Sequence, residues 1–166
     1  MDGAQAGRRF HGQEALARMY PPTATWREGY YEGETEDGGR VLFLIPSKTN
    51  VIARFQVVLN VLTTSATEED EAGTYGFEAK DVRIFDGTFR HLSCEGLLFA
   101  LHGGLGPDGE AHGRCIGVVN GAAGHGAWGT DFHFGSSLWT RWEASWKTTE
   151  DDPNAPMFVP WASWDD

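Results

Sequence analysis

Between Thr25 and Lys147 apolar and polar positions alternate with a period close to two, and short glycine-bearing turns interrupt the alternation. Asp37-Gly38, Asp86-Gly87 and Asp108-Gly109 are hairpin-grade dipeptides that supply positive φ, and Asn120-Gly121 opens a glycine-rich loop. The runs between them are rich in Val, Ile, Phe, Thr and Trp. They predict eight strands, at about 26–35, 40–46, 51–64, 74–84, 88–102, 111–119, 128–134 and 137–147. Glycines 96, 113 and 117 fall inside these strands and predict bulges or tight curvature. Eight meandering antiparallel strands make an all-β domain, either a small barrel or a two-sheet sandwich.

The alternation assigns faces. Val51, Ala53, Phe55, Val57, Leu59 and Val61 share one side of the third strand, while Arg54, Gln56 and Asn60 interrupt Ile52, Val58 and Leu62 on the other. In the last strand Leu138, Thr140, Trp142, Ala144 and Trp146 form the core face. Trp139, Arg141, Glu143, Ser145 and Lys147 form a solvent face with one exposed tryptophan.

Outside 25–147 the pattern changes. In residues 1–24, a flexible basic start leads into a short helix over Phe10–Tyr20, stopped by Pro21-Pro22. Its apolar face is thin, so it reads as a docking arm. Residues 148–166 form an acidic, Pro- and Trp-containing tail whose prolines favour an extended course. Phe158, Trp161 and Trp164 are its aromatic anchors, and with Trp139 they are the candidate partner-binding residues. The tail is expected to cross a neighbouring subunit or partner. Folding back over its own barrel edge is the alternative.

Composition narrows the function classes. Of 166 residues 22 are glycine, about twice the usual share, which suits a turn-rich β protein. The net charge of −11 sits mainly in Glu68-Glu69-Asp70-Glu71 and in residues 148–166, leaving the body near neutral. No basic cluster is available to neutralise phosphates, which argues against nucleic acid, and no apolar run is long enough for membrane insertion. The four acidic residues at 68–71 predict a solvated loop, with calcium the lesser alternative. Met1-Asp2-Gly3-Ala4-Gln5 lacks the layout of a secretory signal, so a cytoplasmic setting or a larger assembly is expected.

Gly29-Tyr30-Tyr31-Glu32-Gly33-Glu34-Thr35 followed by Gly39-Arg40-Val41-Leu42-Phe43 resembles the opening of small β-sandwich domains in uncharacterised bacterial proteins, often secreted ones. Ile84-Phe85-Asp86-Gly87-Thr88-Phe89 and Ala111-His112-Gly113 are similar to the same domains' turn-and-strand pattern. The resemblance spans residues 29–119 and implies a sandwich. It carries no catalytic residue, because those domains have no agreed activity.

Candidate chemistry is sparse. Asp131 and His133 share a strand face, so the carboxylate could orient the imidazole as a general base. A hydrogen-bonded pair at a sheet rim is the plainer reading. Six histidines show no metal-ligand spacing, although His102 and His112 could approach across the 103–110 turn. His102-Gly103-Gly104-Leu105-Gly106 precedes a strand rather than a helix, so it reads as a turn and not a phosphate cradle. Cys94 and Cys115 read as reduced thiols. The expected protein is therefore a non-catalytic β domain, without cofactor or metal, that binds a protein partner or its own copies through its arms. A cofactor-free enzyme using Asp131 and His133 on a small apolar substrate is the first alternative, and a carbohydrate-binding module is the second.

Overall fold

The computed structural model describes residues 18–62, 72–93, 98–118 and 139–160. Eight antiparallel strands close into a barrel in simple chain order, so the architecture is a barrel and not the sandwich the resemblance implied. They are β1 (Gly29–Thr35), β2 (Arg40–Ile45), β3 (Val51–Leu62), β4 (Ala72–Phe85), β5 (Thr88–Ser93), β6 (Leu98–Leu105), β7 (Glu110–Val118) and β8 (Thr140–Thr148). Closure comes from β1 pairing β8, with a register shift between Tyr30 and Tyr31. A closed sheet leaves no edge to be blunted.

Asp86 and Gly87 both have positive φ, 50° and 78°, and form the two-residue connection of β4 to β5. In the two longer connections only the glycines, Gly38 and Gly109, have positive φ among the Asp-Gly pairs, as four-residue loops built on an ordinary turn require. The run expected as one strand over 88–102 is two antiparallel strands, β5 and β6, with Phe89 opposite Gly103 and His91 opposite Leu101. The connection between them falls within 94–97, outside the described residues, and no Asp-Gly or Asn-Gly pair marks it in the sequence. The expected strand at 128–134 lies outside the described residues, as does the 68–71 loop. The run His102–Leu105 belongs to β6, so the turn is confined to 106–109.

An eight-stranded barrel has an interior just wide enough for side chains to fill. Here rings fill it: Tyr31 stacks on Phe43 at 4.7 Å, Phe43 on Phe55 at 5.4 Å, and Trp142 meets Phe55 edge-on at 5.3 Å. Phe77 and Phe99 stack at 5.3 Å. Such pairs add about 0.5–1.5 kcal/mol each beyond their buried area. Gly113 and Gly117 make room for these rings rather than bulges, and Gly96 lies outside the described residues. A Cβ on Gly103 would stand 2.5 Å from the Trp142 ring, and one on Gly117 would collide with Phe77.

Two faces differ from the alternation. Phe55, Val57 and Leu59 face the core as expected, but so does Ile52, and Val51 does not. On the paired strand Phe77 and Ala79 are inward, then Val82 and Ile84. Both strands therefore step by three residues at one level, where Asp81 takes φ of 55° and turns the chain over. Trp139 was expected at a solvent face. It is 7% exposed, and it packs with Leu98, Ala100 and Ile116 on the outer side of β6 and β7. The reason is that this outer wall is itself apolar, which the period-two pattern of β8 alone does not register.

Candidate functional site

Both described terminal segments lie on the barrel's outer wall, and each does so through a specific socket. The C-terminal one begins where β8 ends. Asp152 accepts from the Thr148 hydroxyl at 2.5 Å and from the Asn154 N–H at 2.8 Å, and these hydrogen bonds hold its carboxyl below the usual carboxylate range. The Glu150 carboxylate accepts from the Ser47 N–H at 2.9 Å. This turn directs residues 155–160 over β1, β2 and β3.

There the side-chain amide of Gln56 donates to the Val159 carbonyl at 2.7 Å and accepts from the Val159 N–H at 2.9 Å. Arg40 donates to the Met157 carbonyl at 3.2 Å. The Phe158 ring lies against Tyr30 at 6.1 Å and beneath the Arg54 guanidinium at 4.9 Å. Glu78, opposite Gln56 across the β3–β4 ladder, pairs with Arg54, and Glu32 accepts from Arg40 at 2.7 and 2.9 Å. Leu42 points outward between Glu32 and Gln56, yet it is only 1% exposed. The tail crosses this stretch of wall. Its described part thus follows the fold-back course, over a continuous wall rather than a sheet edge.

At the other end of the chain Tyr20 is buried on β6 and β7. Its hydroxyl is 2.9 Å from His102 Nδ1, and its ring meets those of His102 and His112 at 5.6 and 5.0 Å. Trp139 covers the His102 ring at 5.0 Å. Gly104 creates the seat, since a Cβ there would stand 2.5 Å from the Tyr20 Cβ. Burial, with Arg114 adding to it, pushes His102 down to about 3, while burial raises the Tyr20 phenol. The imidazole is therefore neutral near neutral pH, and it shares one hydrogen bond with the phenol, whose direction follows the imidazole tautomer. His102 and His112 do share the outer wall, but Tyr20 sits between them. Beyond Pro21-Pro22 the strap continues through Thr23, whose N–H donates to the Asp86 carbonyl at 2.9 Å. Arg27 then stacks on Trp146 at 3.5 Å.

Among the described residues no three His, Cys, Asp or Glu side chains converge as metal ligands. Cys115 is a free thiol buried in the barrel, and burial raises its pKa. Several clefts among the described residues are open to solvent. One of about 360 Å³ lies beside Tyr20, His112 and Arg141, and one of about 630 Å³ lies between Trp26, Arg83 and Phe85. The structure places the candidate residues as follows. Phe158 is docked on its own barrel and Trp139 is buried beside His102, so the two are on different walls. Asp131, His133, Trp161, Trp164 and Cys94 lie outside the described residues, as does most of the expected helix over 10–20. Sequence reasoning missed Tyr20, Arg54 and Gln56 as binding groups. The available signal was polar residues interleaved with apolar ones on the outer face of β3. Comparison of the chain with protein-family models, curated proteins and solved structures found no match.

Proposed function

We propose that the protein is a non-catalytic β-barrel that binds partner chains, a second copy of itself included, through its terminal arms. The observation that carries this reading is the occupied interior. Tyr31, Phe43, Phe55, Phe89 and Trp142 fill the space in which a barrel enzyme would hold a small substrate. What remains for recognition is the outer wall, where Gln56 and His102 already hold chain segments by side-chain hydrogen bonds. A carbohydrate site built on Trp139 loses its support because that ring is buried.

Sedimentation velocity on the full chain and on a chain ending at Pro160 tests the proposal. The shorter chain keeps β8 and the docked tail and lacks Trp161 and Trp164. The expected result is a dimer or larger species that becomes monomeric on shortening, with the melting temperature unchanged. A full chain that stays monomeric at all concentrations would overturn self-association through the tail.

A further inference from the structure

We infer that the outer wall of β1–β3 is a peptide-binding groove for an extended segment of a partner protein with the order aromatic, β-branched, proline, and that residues 157–160 occupy it as a built-in competitor. This deepens the arm-binding reading and rests on it.

The groove reads backbone before side chains. A carboxamide carries one acceptor and two donors in a plane, so Gln56 can offer an extended chain the same pair of hydrogen bonds as a neighbouring strand. It does so at Val159, on both the N–H and the C=O. With the tail seated on it, Gln56 is 4% exposed, so the rung is shielded from water in the occupied groove. Arg40 reads a second carbonyl, two residues back at Met157. Selectivity then comes from the aromatic position, where Phe158 is held between Tyr30 and Arg54. The residue after the rung is Pro160, which has no N–H to satisfy.

The receptor side is held by the barrel's own ion pairs. Glu78 fixes Arg54 and stands 3.4 Å from the Gln56 amide nitrogen, and Glu32 fixes Arg40. None of these carboxylates belongs to the tail, so they would keep the groove in shape when the tail leaves. The resident segment has no strand pairing, and Met157 is 80% exposed. Its advantage is tethering, which gives an effective concentration on the order of millimolar for a short linker. A free peptide therefore binds with an apparent affinity reduced by the fraction of grooves that stand open.

The probe is a fluorescein-labelled synthetic peptide of residues 155–162, Ala-Pro-Met-Phe-Val-Pro-Trp-Ala, read by anisotropy against full-length chains. Val159→Pro removes the N–H that Gln56 accepts and weakens the tethered competitor without touching the barrel. We expect this variant to bind the peptide at least about tenfold more tightly than the wild-type chain. Adding Gln56→Ala should reverse the gain, and a scrambled peptide should not bind. If Gln56→Ala lowers the melting temperature, Gln56→Glu serves instead, because it keeps the size and removes the N–H donor. Binding that is no tighter in V159P, or that is indifferent to Gln56, would overturn the groove. A wild-type dimer dissolved by V159P would overturn the separate partner and assign the segment to a second copy. An inert groove with self-association still lost on shortening to Pro160 would sink this inference and leave the arm-binding reading intact.

Discussion

Gly103 lies directly opposite Gly113 across the β6–β7 ladder, and together they open the slot that the Trp142 indole fills. Neither glycine has a positive φ, so both are there for space rather than for backbone freedom. A Cβ on Gly103 would stand 2.5 Å from Trp142 and 2.7 Å from Phe89, and one on Gly113 would strike the His102 carbonyl. We expect Gly103→Ala and Gly113→Ala each to destabilise by about 1–3 kcal/mol, the cost of overpacking a filled core. Urea unfolding checks this, and a neutral result at both positions would contradict the slot.

The Tyr20–His102 pair makes stability depend on pH. The folded imidazole is held down to about 3, whereas the unfolded one titrates near its ordinary value of 6.5. Below about 6.5 the unfolded chain binds a proton that the folded chain refuses, so stability falls as pH falls, by up to about 1.4 kcal/mol per pH unit until about 3. His102→Asn keeps an acceptor and removes the titration. We expect the wild-type advantage over this variant to shrink between about pH 6.5 and 4.5 on that slope. Parallel curves for the two proteins would exclude the effect.

Tyr20→Phe isolates the hydrogen bond from the ring. Gly104 still seats the ring, but His102 Nδ1 loses its phenol partner, and a loss of about 1–2 kcal/mol is expected. Tyr20→Ala, which also empties the seat, should cost more. Equal melting temperatures for the two variants would mean that the ring contributes nothing.

Asp81 holds the residue conformation at which β3 and β4 turn over, with φ of 55°. Aspartate tolerates that region and β-branched residues do not. Asp81→Val should therefore destabilise by about 1–2 kcal/mol, while Asp81→Gly should be nearly neutral. Equilibrium unfolding of the two variants distinguishes a backbone effect from loss of the carboxylate, which both share.

Cys115 is sealed in the barrel and its thiol is pushed up, so it should resist a thiol reagent in the folded protein. Mass mapping of the Cys115 peptide after labelling with and without urea measures this directly. Rapid labelling under native conditions would show that β6 and β7 open locally.

Strand-forming runs, their hairpin turns and most of their inward faces were legible because each depends on neighbours a few residues apart. Asp86-Gly87 is a two-residue hairpin because of its own φ preferences. Phe55, Val57, Leu59, Trp142 and Ala144 face inward because alternation places them there. What only the tertiary structure decided depends on residues far apart in the chain. Closure required β1 to meet β8 more than a hundred residues later, which no local pattern encodes, so barrel and sandwich looked alike. The division of 88–102 became visible only when Phe89 paired with Gly103. Trp139 is buried because β6 and β7 offer an apolar outer wall, and Gln56 binds backbone because the chain brings Val159 back across 103 residues. Alternation describes one strand and its two faces. Which face is covered, and by what, is set by long-range packing in three dimensions.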